Sequence, residues 1–128
     1  AKQALIKDGW TITHDPFHLR WGRKDMYVDL GAKKLILAER LEQKIAVEVK
    51  SFLGESELQA CRDAIGQFAI YRAVLRRSYP DYKLYLAIRD VIYNSFFEEP
   101  IGQILIEDEN LKFIVFDAEK EVISQWKN

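Results

Sequence analysis

The stretch YVDLGAKKLILAERLEQKIAVEVKS, residues 27–51, decides the fold reading. From Ile45 to Val49 it is apolar except for Glu48, and Lys50 follows directly. Successive side chains on a β-strand alternate between faces, so Ala46, Glu48 and Lys50 share one face while Ile45, Val47 and Val49 share the other. A strand in a covered sheet reads as a near-continuous apolar run, and a carboxylate placed in one is costly unless a partner or a metal ion satisfies it. A Glu/Lys pair at a half-solvated strand end would account for both charges without any chemistry. A chemical account needs a second carboxylate.

Asp29 supplies one. It lies between Val28 and Leu30, followed by Gly31, nineteen positions before Glu48. The segment Lys34–Arg40 (KLILAER) predicts a strand, Leu41–Lys44 (LEQK) a polar turn and Ile45–Ser51 the hairpin partner, a path that can bring Asp29 near Glu48. Converging carboxylate oxygens are hard ligands suited to Mg²⁺ or Mn²⁺, ions that polarise a phosphate oxygen and acidify a bound water. The Lys50 ammonium can orient that water or hold charge developing on phosphorus-bound oxygen. This is equipment for phosphodiester hydrolysis, with Glu39 on the preceding strand as a reserve ligand.

Asp29 followed by Glu48-Val49-Lys50 on a strand resembles the D...(D/E)xK signature of the PD-(D/E)xK nuclease superfamily, with Val28 where a Pro often stands. Gln67 and Tyr71 add a QxxxY spacing in the next helix, similar to the nucleases that resemble the RecB nuclease domain. Over essentially its full length the chain is identified as a member of the XisH family of fdxN-element excision controlling factors from cyanobacteria. The segments that carry this resemblance are LIKDGWTITHDP, YVDLGA, IAVEVKSF, GQFAIYR, KLYLAI and the VFD and EVISQW pieces of the tail.

The resemblance implies a single α/β domain over 1–128, with a central mixed sheet flanked by helices. Its αβββαβ nuclease-like core is followed by a helical segment and a β-hairpin. It further implies one Mg²⁺ or Mn²⁺ ion held by Asp29, Glu48 and the Val49 carbonyl, with Lys50, Gln67 and Tyr71 serving the water or the phosphate. The biological setting implied is programmed DNA excision during heterocyst differentiation, carried out by a separate site-specific recombinase, with DNA and an XisI-type factor as partners. The alternative within the same family role is a nuclease-like fold that only binds DNA or protein.

The length of 128 residues, with 48% apolar and 30% charged residues, describes one globular domain able to bury a core without staples. The single cysteine, Cys61, excludes an internal disulfide and suits a reducing cytoplasm. No apolar run approaches the roughly 20 residues of a membrane span, and no signal-peptide pattern is present, so the expected location is cytoplasmic with no membrane partner. The net charge of −1 supplies no global field toward DNA, and nucleic-acid binding must rest on local clusters. The sequence holds no dinucleotide fingerprint and no phosphate-binding G-x-x-x-x-G-K, which leaves a small-molecule enzyme without a cofactor motif.

Residues 1–8 predict the last turns of a helix closed by Gly9, and the family resemblance implies further residues before it. Trp10–His14 predicts a first strand, ended near Pro16. Residues 18–25 (HLRWGRKD) read as a basic loop in which Arg20, Arg23 and Lys24 surround Trp21, either solvated or holding a phosphate backbone. Pro16 between His14 and His18 argues against a helical two-His metal face.

Ser56 and Gln59 form a capping box for a helix that reaches about Tyr79 and stops at Pro80, with an apolar stripe of Leu58, Cys61, Ile65, Phe68 and Leu75. Ala60, Ala64, Gln67 and Tyr71 flank that stripe, and small alanines there allow close approach to the sheet. Gln67 and Tyr71 then either point to the charged end of the sheet or complete the helix edge and core. Arg72 falls inside the stripe and calls for a carboxylate, another subunit or nucleic acid as its contact. Lys83–Arg89 predicts an interior strand and residues 90–98 a short helix begun at Asp90. A second helical piece follows Pro100, and Leu111–Phe116 with Val122–Trp126 predict a closing hairpin. A homodimer would match the two-fold symmetry of duplex DNA.

Overall fold

The computed structural model describes residues 1–23, 26–29, 35–51 and 56–128, with side chains for all of these except 20–23 and 26–29. In chain order the elements are α1 (Lys2–Lys7), β1 (Thr11–His14), β2 (Arg20–Arg23), β3 (Met26–Asp29), β4 (Leu35–Arg40), β5 (Gln43–Val49), α2 (Glu57–Ser78) and β6 (Tyr82–Arg89). Then come α3 (Asp90–Ile92), which runs directly into a π-helical turn over Tyr93–Phe97, α4 (Pro100–Glu109), β7 (Phe113–Asp117) and β8 (Val122–Lys127).

Six strands form one mixed sheet in the order β1-β4-β5-β6-β7-β8. The central trio β5, β6 and β7 is parallel, as connections through helices require, and the outer pairs are antiparallel hairpins or crossings. β6 is apolar on both faces, as an interior strand must be. The period-2 alternation sorts the core into two layers. Leu35, Leu37, Ala46, Leu84, Leu86 and Phe113 pack under α2 and the π-helical turn. Ile36, Ala38, Ile45, Val47, Tyr85 and Ile114 pack on the opposite face with Leu5 of α1, and Trp126 is packed against that layer.

Local chemistry accounts for the element ends. Gly9 adopts φ +91 after α1, and its N–H donates to the Ile6 carbonyl, the left-handed cap that glycine makes cheaply. The Ser56 hydroxyl accepts from the Gln59 N–H at 3.1 Å. The reciprocal half of the expected capping box is not made, because the Gln59 amide donates instead to Asp63 one turn on. Ala60 and Ala64 are fully buried beside Cys61, Phe68, Tyr71, Val74 and Leu75, while Leu58 is half exposed. The buried face of α2 is therefore rotated toward the alanines, which lets the helix lie close to the sheet.

Three expectations change. The polar turn shrinks to Leu41 and Glu42, because Arg40 pairs directly with Gln43 and Leu41 takes φ 55; Gln43 and Lys44 join the strand. The basic loop is partly strand, with Arg20–Arg23 pairing antiparallel with Met26–Asp29 in a separate two-stranded sheet. The short helix at 90–98 opens into the wide π turn, and Asp90 caps only the adjacent Val91 N–H.

Candidate active site around Glu48

The register of the sheet sets Glu48 in a row of four residues on the α2 face: Leu35 on β4, Glu48 on β5, Leu86 on β6 and Phe113 on β7. Its three row neighbours are fully buried, and Glu48 itself is 3% exposed, the one buried charged residue among the described residues. Neither carboxylate oxygen accepts a hydrogen bond from any described group. Burial therefore pushes the Glu48 carboxyl up to about 8, against the pull of the neighbouring Lys50 ammonium. Shifting this strand by one residue would send Glu48 to the α1 face and carry Ile45 and Val47 under α2, so the register decides which core layer holds the carboxyl.

Lys50 lies just past the end of β5, half-buried, with its N–H donating to the Ala87 carbonyl at 3.1 Å. That bond continues the β5–β6 ladder for one residue and fixes the direction in which the chain leaves Glu48. Val49 alternates to the other face and packs against the α1 layer. On α2, Tyr71 is buried in the same core layer as Leu35 and Leu86, and Gln67 is half-buried one turn before it.

Asp29 ends β3, opposite Arg20 in the β2–β3 register. The side chains of Asp29, Arg20 and Arg23, and the whole of Lys24, lie outside the described residues. The pairing of Arg20 with Asp29 was not visible in the sequence, because RWGR lacks the apolar alternation that marks a strand. Glu39, the reserve ligand, is corrected by the register. It pairs with Lys44 at the far end of the β4–β5 hairpin, four residues or about 13 Å along the strand from the Leu35–Glu48 row.

Arg72 finds its contact inside the protein: its guanidinium donates to the Glu109 carbonyl at the end of α4 and lies 5.4 Å from the Phe68 ring. Cys61 is buried and its thiol is pushed up to about 11 by desolvation, which makes it a packing residue rather than a nucleophile. His14 touches Thr13 and the edge of Phe17. No group of three or more metal-ligating side chains occurs among the described residues. No described helix is long and apolar enough to cross a membrane.

The family model for XisH protein matches residues 1–124. Two crystal structures share the fold over 99% of this chain and 94% of theirs. One is an XisH family protein from Nostoc punctiforme PCC 73102, at 43% identity and a TM-score of 0.89. The other is an fdxN element excision controlling factor protein from Anabaena variabilis, at 44% identity and a TM-score of 0.88. No curated protein matches the chain. With a match over nearly its whole length and two full-length structural relatives above 40% identity, this chain belongs to the XisH family.

Proposed function

We propose that this protein is an excision controlling factor of the fdxN element whose Glu48 site hydrolyses DNA phosphodiesters in a divalent-metal-dependent way, on a PD-(D/E)xK-type core. The controlling-factor role rests on the full-length likeness to the Anabaena variabilis protein so named. The observation that carries the chemical part is Glu48, a carboxylate held in an apolar row with neither oxygen bonded by a described group. Leaving such a group without compensation is expensive, and a hard cation is the compensation its oxygens suit best.

In this reading Glu48, the Asp29 carboxylate and the Val49 carbonyl hold Mg²⁺ or Mn²⁺. A bound ion would polarise a phosphate oxygen and lower the pKa of a coordinated water. To hold the ion Glu48 would have to give up its proton to solvent. Lys50 opposes the charge that builds on the phosphoryl oxygens, Gln67 and Tyr71 steady the water or the phosphate, and the apolar row of Leu35, Leu86 and Phe113 keeps bulk water from Glu48. The partners in this reading are DNA, an XisI-type factor and a separate site-specific recombinase, with a homodimer suited to a duplex.

The test is cleavage of supercoiled plasmid and branched DNA with Mg²⁺ or Mn²⁺, comparing the protein with Glu48→Ala and Lys50→Ala. Cleavage by the wild type that both variants lose supports the reading. A second reading, a regulatory module that binds DNA or protein without cutting, is favoured by the net charge of −1 and by a Glu48 carboxyl that holds its proton up to about pH 8. Well-folded wild-type protein that cuts neither substrate would select it.

A further inference from the structure

We propose that a second, metal-independent site binds the phosphate backbone of nucleic acid in a cationic groove at the end of α2 remote from Glu48; the choice of nucleic acid as the anion rests on the proposed function above. The groove has a volume of about 210 Å³ and lies between the C-terminal half of α2, the entry to β6 and the connection from α4 to β7. Arg72 and Arg76 of α2 line it, with Lys83 and Lys112 at its rim; Lys83 shares the Tyr85 face of β6 and also borders a hollow there, no carboxylate is among the lining residues, and Phe68 and Leu75 contribute apolar wall. Carboxylates stand on two sides of it: Asp108 and Glu109 line an adjoining hollow with Arg72 and Arg76, and Asp81, between Pro80 and Tyr82, lines another with Lys83. In a chain whose net charge is −1, this is a marked local separation of charge.

Cations in the last turn of a helix complement the negative end of its dipole, and that need has to be weighed first. Here it is met by specific groups. Arg72 donates to the Glu109 carbonyl at the C-terminus of α4, and Arg77 donates to the Ala73 carbonyl on α2. The side chains of Arg76, Lys83 and Lys112 make no hydrogen bond or ion pair among the described residues. Arg76 and Lys83 are exposed and Lys112 is half-buried, so all three are available to a ligand at little desolvation cost.

Three free cations beside a fourth that is already oriented, around a space the size of one phosphate and its sugar, match an anion repeated along a polymer better than a single small carboxylate. Arg presents a planar fork that suits phosphate oxygens, while the lysines act as point charges. Along β6 the groove begins two residues before Leu86, the strand neighbour of Glu48, or about 7 Å of strand. A duplex lying across this end would contact the groove without entering the Glu48 row.

The test is binding of a fluorescently labelled duplex in EDTA, followed by anisotropy over a range of NaCl concentrations. The wild type is expected to bind with a steep salt dependence. The triple variant Arg76→Ala, Lys83→Ala, Lys112→Ala is expected to bind at least about tenfold more weakly at about 100 mM NaCl, with the log–log salt slope reduced by about two to three. Arg72 is left in place because it covers the end of α4, and circular dichroism checks that the variant is folded. Arg76→Lys alone should keep most of the affinity. Because EDTA removes any divalent ion, binding measured there is read independently of cleavage. Unchanged affinity and slope in the folded triple variant, or no duplex binding by the wild type at about 50 mM NaCl, would overturn the proposal.

Discussion

Arg40 and Glu48 sit on neighbouring strands of one hairpin and turn a base and an acid toward opposite faces of the sheet, and they are treated very differently. Arg40 is partnered: Nη1 donates to the Asp8 carboxylate and to the Asp8 carbonyl, both at 2.8 Å, and the guanidinium lies 4.5 Å from the centre of the Trp10 ring. It fastens α1 to the sheet. Glu48 lies deeper, between Leu35 and Leu86, and no described group bonds either oxygen. A charge that serves the fold comes with its partners, whereas a buried carboxyl without them keeps its proton until a cation can take the proton's place.

The most severe way to break the comparison is to remove the unpartnered charge. Glu48→Ala and Lys50→Ala should each lower metal-dependent DNA cleavage by on the order of a thousandfold while the protein remains folded, as judged by circular dichroism. Retention of more than a tenth of the wild-type rate in either variant would remove that residue from the site.

The next effect is on stability. The Glu48 carboxyl titrates near 8 in the folded chain and near 4.5 when exposed, so between these values the folded state holds a proton that the unfolded chain has released. The contribution is full below about pH 4.5 and is lost as pH rises toward 8. Urea titrations without metal should therefore show Glu48→Gln gaining stability relative to the wild type across this window, by roughly 4 kcal/mol at its upper end. A constant difference between the two proteins from pH 4.5 to 8 would mean that Glu48 is not desolvated.

Arg40→Ala sharpens the other side. The pair with Asp8 is about one-third exposed, so screening limits it, but the Trp10 ring also loses its cover. A loss of about 1 to 2 kcal/mol in urea is expected, with no change in cleavage. The smallest effect lies at the hairpin tip between the two residues. Leu41 is almost fully exposed at φ 55, where a side chain gains nothing from packing, and Leu41→Gly should raise stability by about 0.5 kcal/mol.

The contrast between the two charges was only half legible in the sequence. The apolar run from Ile45 to Val49 with Glu48 inside it gave the strand, its faces and the odd carboxylate, because period-2 alternation is local. Gly9, Ser56 and Pro80 likewise marked helix ends through backbone chemistry that acts within a few residues. The partners of Arg40 were not legible, since Asp8 lies thirty-two positions away and meets it only through the packing of α1. Register was hidden too. KLILAER shows that a strand exists but not that Leu35, rather than Glu39, faces Glu48. The β2–β3 ladder was missed because Gly22 and the flanking arginines give no alternation. Leu58 was expected inside and lies half outside because the close approach of Ala60 and Ala64 sets the rotation of α2, a tertiary effect that hydrophobicity alone does not encode.

The central claim is that Glu48 holds a divalent ion, and calorimetric titration of the metal-free protein with Mn²⁺ at pH 7, in two buffers of different ionisation enthalpy, tests it most directly. Glu48 is protonated at that pH before the ion arrives. The account predicts saturable binding with release of about one proton per ion in the wild type, and loss of both the binding and the proton release in Glu48→Gln. Equal Mn²⁺ affinity in the two proteins, or wild-type binding with no buffer dependence, would contradict it.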